Sequence, residues 1–284
     1  MDALEHLLNS LFIMASMVEA RDPYTGGHLW RVSQFCRVLA EHDGLPPNQV
    51  ARVSLGGFLH DLGKIAVPDA ILNKPDRLTD DEYEIIKTHP DVGRRLLIDH
   101  PLAALAESAV FAHHERPDGT GYPQQLPLDQ ISVDARIVSI CDAFDAMTST
   151  RPYRKGMPIE RALGIIRDNL GTQFDSKWGK LFLELGEAGK LDHIVGHSEQ
   201  GIPLHDCPMC GASIVIRRHQ HEGDHAYCRA CGAETEIHIV NGKTVVKATG
   251  QRGTPAQLEP EVDTDLVREL VKESASILNQ QPPT

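Results

Sequence analysis

Apolar residues recur at helical spacing from the start of the chain. Leu4, Leu8, Leu11, Met14 or Ala15, and Val18 share one face over residues 2–20, and Gly26-Gly27 marks a break after them. Similar patterns predict helices over 28–42, 47–61, 79–89, 102–115, 132–149, 158–170 and 176–188. Thr79 with Glu82 three residues on reads as a capping box, Pro158 suits a first helical turn, and Gly171 suits a helix exit. The first 190 residues are therefore expected to be all-helical.

The pattern changes after Leu191, where His, Gly, Ser and Pro accumulate up to His205. Segments 213–216, 234–240 and 243–247 then favour strands, and Asn241-Gly242 between the last two predicts a tight hairpin turn. Residues 250–262 are rich in Pro, Gly, Gln and Glu, which reads as a flexible linker before a short helix at 263–278. No internal repeat is visible. The organisation expected is a large helical domain over 1–195, a small β module over 205–247, and a linker with a short helix over 248–284.

Charge narrows the function classes. With 28 basic against 40 acidic residues the net charge is -12, which disfavours general nucleic-acid binding. A small anionic substrate stays compatible, because bound cations can invert the field inside a pocket. The apolar run Leu11–Val18 is too short to cross a bilayer, and no signal peptide precedes it, so no membrane association is expected. Four of six cysteines sit in two Cys-x-x-Cys pairs, a spacing that suits metal binding in a reducing, cytoplasmic setting.

The chemistry-bearing residues are His28, the pair His60-Asp61, His89, the pair His113-His114, and Asp142, nearly all in or beside predicted helices. Imidazole and carboxylate together suit first-row transition metals, and a helical bundle can aim them at one interior point. A lone histidine is more often a hydrogen-bonded core residue. Adjacent pairs change that balance, because so many polar groups beside a core are costly without a purpose.

These residues lie in longer stretches: RDPYTGGH at 21–28, HDLGKIAVPD at 60–69, HHERPDGTGYP at 113–123, and the segment from Asp142 through RPYRK at 151–155. In that order they resemble the HD-GYP phosphodiesterases, a branch of the HD superfamily of helical metal-dependent phosphohydrolases, over about residues 10–190. The fold class implied is mainly α, an HD-superfamily helical bundle followed by a small β zinc ribbon. The resemblance implies one metal held by His28, His60, Asp61 and Asp142, and a second held by Asp61, His89, His113 and His114. Iron or manganese is the occupant it implies. Some relatives carry a carboxylate one turn before the first histidine for a third metal; Tyr24 stands there, so two metals are expected.

The activity implied is hydrolysis of cyclic di-GMP to linear pGpG, and onward to GMP. Alternatives are another cyclic dinucleotide such as cyclic GMP-AMP, or a module that binds the ligand or a GGDEF-type cyclase without turnover. Lys64, one helical turn beyond His60, is expected to offset phosphate charge near the catalytic Asp61, against the alternative of a surface lysine. By resemblance Arg151 and Arg154 clasp phosphate, and Asp118, Gly119 and Tyr122 form a substrate loop at the pocket mouth; unaided, the same loop reads as a Gly-rich turn. Tyr122 either stacks on a base or pins its loop. Asp145 is expected to support a metal ligand from behind.

Cys207, Cys210, Cys228 and Cys231 have the spacing of a four-cysteine zinc site, closed and structural rather than catalytic. A disulfide pairing is the weaker alternative. Cys36 and Cys141 are expected in the core. A protein partner is the expected role of the ribbon, and regulation is expected from the C-terminal part or another chain.

Overall fold

The computed structural model describes residues 1–22, 26–74, 76–150 and 154–279. The helical body begins with α1 (Ala3–Glu19), α2 (His28–His42) and α3 (Pro47–Leu59). A 3-10 turn over Leu62–Ala66 leads to α4 (Asp69–Leu72), α5 (Asp80–Ile86), α6 (His89–Leu97) and α7 (Glu107–Ala112). The long α8 (Val133–Thr148), α9 (Ile159–Asp168) and α10 (Ser176–Glu187) complete it. Among the described residues no helix is long and apolar enough to cross a membrane.

Three aromatic contacts tie helices that carry the polar cluster to their neighbours. Phe35 of α2, Phe144 of α8 and Phe182 of α10 are fully buried, with edge-on ring separations of 5.2 Å for Phe35–Phe144 and 5.0 Å for Phe144–Phe182. Phe12 of α1 meets Phe58 of α3 at 4.9 Å. Such pairs add to what burying the rings contributes. They tie α2 to α8, α8 to α10 and α1 to α3.

The boundaries differ from the pattern in ways that matter. The predicted helix 79–89 stops at Ile86, with Thr79 and Glu82 forming the capping box, and a new helix starts at His89. Pro90 explains the break: it cannot donate a backbone hydrogen bond, yet its ring fits a helix's first turn. The predicted helix 102–115 is a 3-10 turn over Ala103–Leu105 followed by the short α7.

After α10 the chain builds three small antiparallel sheets. Strands β1 (His197–Glu199) and β2 (Ile202–Pro203) pair, as do β3 (His205–Asp206) and β4 (Ser213–Ile214). Strands β5 (His225–Tyr227), β6 (Ala233–Val240) and β7 (Lys243–Arg252) form the third sheet. Asn241 and Gly242 both have positive φ, 53° and 74°, the geometry of the predicted two-residue hairpin.

The segment from 248 is not the flexible linker that its composition predicts. β7 continues to Arg252, paired across an irregularity to Ala233, and Thr254 and Gln257 cap a 3-10 turn at Pro255–Leu258. The last helix, α11 (Thr264–Leu278), is no appendage either: Val267, Leu270, Val271 and Ala275 are buried in the main core, where α11 packs on α1 and α3. The helix expected at 263–278 is thus present, and tertiary packing of its apolar face holds it.

Gly63, in the 3-10 turn after Asp61, is the tightest point of the frame. A Cβ there would lie 1.8 Å from the carbonyl oxygen of His89 and 2.5 Å from the amide of Gly93. Gly63→Ala is therefore expected to destabilise the protein by about 1–3 kcal/mol and to move His89, which thermal denaturation checks. An unchanged melting temperature would mean that the turn and α6 can separate freely.

Candidate metal centre

The seven metal-ligand candidates all meet, although they come from five separate helical segments. Four sit at helix ends: His28 opens α2, His60 caps α3, His89 opens α6 and His113 caps α7. Asp61 and His114 follow their histidines directly, and Asp142 projects from the middle of α8. His28, His60, Asp61, His89 and His113 are buried.

Distances divide the cluster at Asp61. Its Oδ2 lies 3.6 Å from His28 Nε2 and 3.5 Å from His60 Nε2. Asp142 Oδ1 is 3.5 and 3.6 Å from the same two nitrogens. The other oxygen, Oδ1, lies 3.5 Å from His89 Nε2. His89 Nε2 in turn faces His113 Nε2 at 3.2 Å, and His114 joins these two in a second group of converging ligand atoms. One carboxylate thus faces two clusters.

The donor chemistry fits a pair of cations. His60, His89 and His113 each donate Nδ1–H to a backbone carbonyl, of Gly57, Ile86 and Val110, at 2.7 to 3.0 Å. His28 Nδ1 is 2.8 Å from Asp145 Oδ2. In neutral imidazoles these bonds leave Nε2 as a lone pair, so lone pairs and carboxylate oxygens crowd together. Cations between them convert that repulsion into coordination, and the outer hydrogen bonds are those that fix a ligating tautomer.

The shifts in acidity agree. Burial, with the neighbouring histidines, pushes His89 down to about 4 and His114 to about 3, and His113 well below its ordinary value. All three stay neutral, as ligation requires. Burial opposes ionisation of Asp61 and Asp142, but Lys64 with the histidines holds Asp61 low, and His60 and His28 hold Asp142 low. Burial also opposes charge on His28, yet hydrogen bonds to Asp145 and Asp61 raise it to about 9. An ion there must displace a proton from Nε2.

The HD-domain profile matches residues 13–178, more than half of the chain. The chain belongs to the HD-domain family. The resemblance read from the motifs is borne out. A cyclic di-GMP phosphodiesterase of Pseudomonas aeruginosa is 45% identical over 147 residues, 51% of this chain and 36% of that protein. A cyclic di-GMP phosphodiesterase response regulator of Xanthomonas campestris is 39% identical over 166 residues, 58% of this chain and 44% of that protein. A 3′3′-cGAMP-specific phosphodiesterase of Vibrio cholerae is 39% identical over 160 residues, 56% of this chain and 35% of that protein. The chain spans less than half the length of these three relatives.

Around the HD-domain cluster the remaining site residues divide. Lys64 donates from Nζ to Asp61 Oδ2 at 2.6 Å, so its ammonium is at the shared carboxylate. Tyr122 lies face to face with His114, ring centres 4.7 Å apart, and its amide donates to the His114 carbonyl. Asp118 is exposed, and its Oδ1 accepts from the amide and hydroxyl of Thr120, closing the turn that contains Gly119. The Arg154 guanidinium donates to the Ala146 carbonyl on α8, one turn beyond Asp142. Arg151 and Tyr24 lie outside the described residues.

Two buried residues and one half-buried one received no role from the motif reading. Glu115 accepts the amides of Gln124 and Leu126 at 2.7 and 2.9 Å and so fixes the loop that carries Tyr122. Glu19 accepts the Leu29 amide at 2.9 Å, capping α2 where Gly27 has no side chain to do so. Arg31, 2% exposed, grips Asp145 with Nε at 2.6 Å and Nη2 at 3.0 Å. A charged residue one turn after His28 on a buried face was the available signal.

In the C-terminal part the four cysteines converge as unpaired thiols. Sγ separations are 3.8 Å for Cys207–Cys231 and 3.5 Å for Cys210–Cys228, beyond the ~2.05 Å of a disulfide. They are near the ~3.8 Å edge of a tetrahedron with metal–sulfur bonds of about 2.3 Å. Both knuckles repeat one pattern, with Gly211 N donating to Cys207 O and Gly232 N to Cys228 O. Cys36 and Cys141 are buried in the helical core.

Because His89, His113 and His114 are depressed, unfolding returns them towards 6.5 and the unfolded chain binds more protons below that pH. Metal-depleted protein is expected to lose stability as pH falls from 6.5 towards 4. The raised His28 runs the other way, with its contribution fully present below 6.5, so one group opposes three. Denaturant midpoints at about pH 7.5 and about pH 5 check this; an equal or higher midpoint at the lower pH contradicts it.

Proposed function

We propose that this chain is a metal-dependent phosphodiesterase that hydrolyses cyclic di-GMP to linear pGpG, and onward to GMP, lowering a bacterial second messenger in the cytoplasm. The observation that carries the reading is Asp61, whose two oxygens face separate histidine groups, as a carboxylate shared by two cations does. His28, His60, Asp61 and Asp142 hold one ion, and Asp61, His89, His113 and His114 the other. Both are transition metals, iron or manganese, which the mixed imidazole and carboxylate set suits. Cys207, Cys210, Cys228 and Cys231 hold a structural zinc.

When bound, two such ions supply Lewis acidity and a water of lowered pKa. In hydrolysis the water oxygen bonds to phosphorus, the bond to one sugar oxygen breaks, and that oxygen takes up a proton. The residues set the geometry around that exchange. Asp61 and the histidines fix where the nucleophile stands, and Lys64, already at Asp61, is placed to offset charge growing on the phosphate. Tyr122 braces His114 from the loop side, while the motif resemblance assigns Arg151 and Arg154 to clasping phosphate and the Asp118–Gly119 turn to the substrate loop.

The relatives' names support the substrate class and favour a second reading of the base. Several are called cyclic di-GMP phosphodiesterases and others 3′3′-cGAMP-specific. A cluster that handles phosphate does not by itself choose between guanine and adenine. A protein partner of the C-terminal module, of GGDEF type or another, stays part of the proposal.

Anaerobically purified protein, assayed with cyclic di-GMP and 3′3′-cGAMP side by side, is expected to cleave the first. Asp61→Ala is expected to lose bound transition metal and more than about a hundredfold of turnover, beyond what an outer-sphere change causes. Full turnover by that variant would refute the site. Full metal occupancy with neither dinucleotide cleaved would leave a binding module instead.

A further inference from the structure

The two glycines before His28 touch the C-terminal part directly. A Cβ on Gly26 would come within 2.5 Å of Val215 Cγ2, and one on Gly27 within 2.4 Å of Ser198 Cα. Val215 directly follows β4, and Ser198 is the buried middle of β1. Backbone of one part therefore lies against backbone of the other at the residue next to a metal-ligand candidate.

Arg31 extends this contact inwards. Its Nη1 donates to the Gly26 carbonyl at 2.9 Å and to the His197 carbonyl of β1 at 2.8 Å. The opposite edge of the same planar group holds Asp145, whose Oδ2 meets His28 Nδ1 at 2.8 Å. A guanidinium is rigid, so the position of the His197 carbonyl and the orientation of the Asp145 carboxylate are linked through one plane.

Two features hold β1 and β4 in place. Arg218 bridges buried Glu199 of β1, at 2.6 Å, and Glu269 of α11, at 2.8 Å. The β3–β4 hairpin closes around the first cysteine knuckle, where Cys207 N donates to the Ala212 carbonyl at 2.8 Å, and Val215 leaves its other end.

We propose that the C-terminal cysteine module is a clamp on the loop before His28, and that it positions the metal centre through His197, Arg31 and Asp145. Arg31 and Asp145 are positioning residues that act on His28, and the module is a working part of the HD-domain site. The effect on metal affinity rests on the reading of His28 as a ligand; the clamp itself rests on the contacts.

The test uses the full chain with Gly26→Ala, which drives a methyl into Val215, and the double variant Gly26→Ala/Val215→Ala, which makes room for it. Arg218→Ala loosens β1 from a distance. Manganese affinity is expected to weaken about tenfold in both single variants, the scale of losing an outer-sphere support. The double variant is expected to recover to within about twofold of the unaltered protein, a coupling that independent sites lack. Amide exchange over residues 26–31 should rise and recover in parallel.

Single variants that bind manganese like the unaltered protein, with unchanged exchange, overturn the clamp. So does a double variant that stays as weak as Gly26→Ala. If the unaltered protein binds no manganese, the reading of the centre fails, and exchange over residues 26–31 still decides the clamp by the same rise and recovery.

Discussion

Imidazole lone pairs and carboxylate oxygens brought together with few protons between them are the constraint on which this structure depends. Three imidazoles spend their Nδ1 hydrogens on backbone carbonyls and a fourth on Asp145, so their Nε2 atoms face one another and two carboxylates across 3.2–3.6 Å. Such a cluster is costly to bury unless cations occupy it. The fold absorbs the cost by rigidity. Helix ends are pinned by aromatic contacts, by Gly63 against His89 and by Arg31 against Asp145, so the donors cannot swing apart to water.

That rigidity ties residues far from the cluster in sequence to its geometry. Asp145 orients His28, Arg31 orients Asp145, and Glu115 shapes the loop whose Tyr122 lies on His114. The C-terminal helix α11 joins the same core as α1 and α3. The four-cysteine part keeps a small apolar cluster of its own, around Cys207, Ile214 and Cys228.

Metal chemistry is legible in a sequence because it tolerates few residue types, so His60-Asp61 and His113-His114 stood out without any coordinates. Helix periodicity was legible for the same reason that packing demands it. The start of α6 at His89 was not, because Pro90 interrupts the pattern where a new helix begins. Arg31 was hidden among Trp30 and Val32, since one charged residue in an apolar stretch gives no hint of the carboxylate that it meets 114 positions later. Asp118 carried the motif but closes its own turn on Thr120. The helix expected at 263–278 is α11, but β7 runs past its expected end and a 3-10 turn stands in the expected linker, because Gly- and Pro-rich composition reports the freedom of an isolated chain and long-range pairing removes that freedom.

The most direct test is anomalous diffraction from crystals grown with manganese, with data collected on both sides of its absorption edge. The account predicts two manganese peaks, one on each side of the Asp61 carboxylate, one beside His28, His60 and Asp142 and the other beside His89, His113 and His114. A single peak, or two peaks with Asp61 bound to neither or only one, would contradict it.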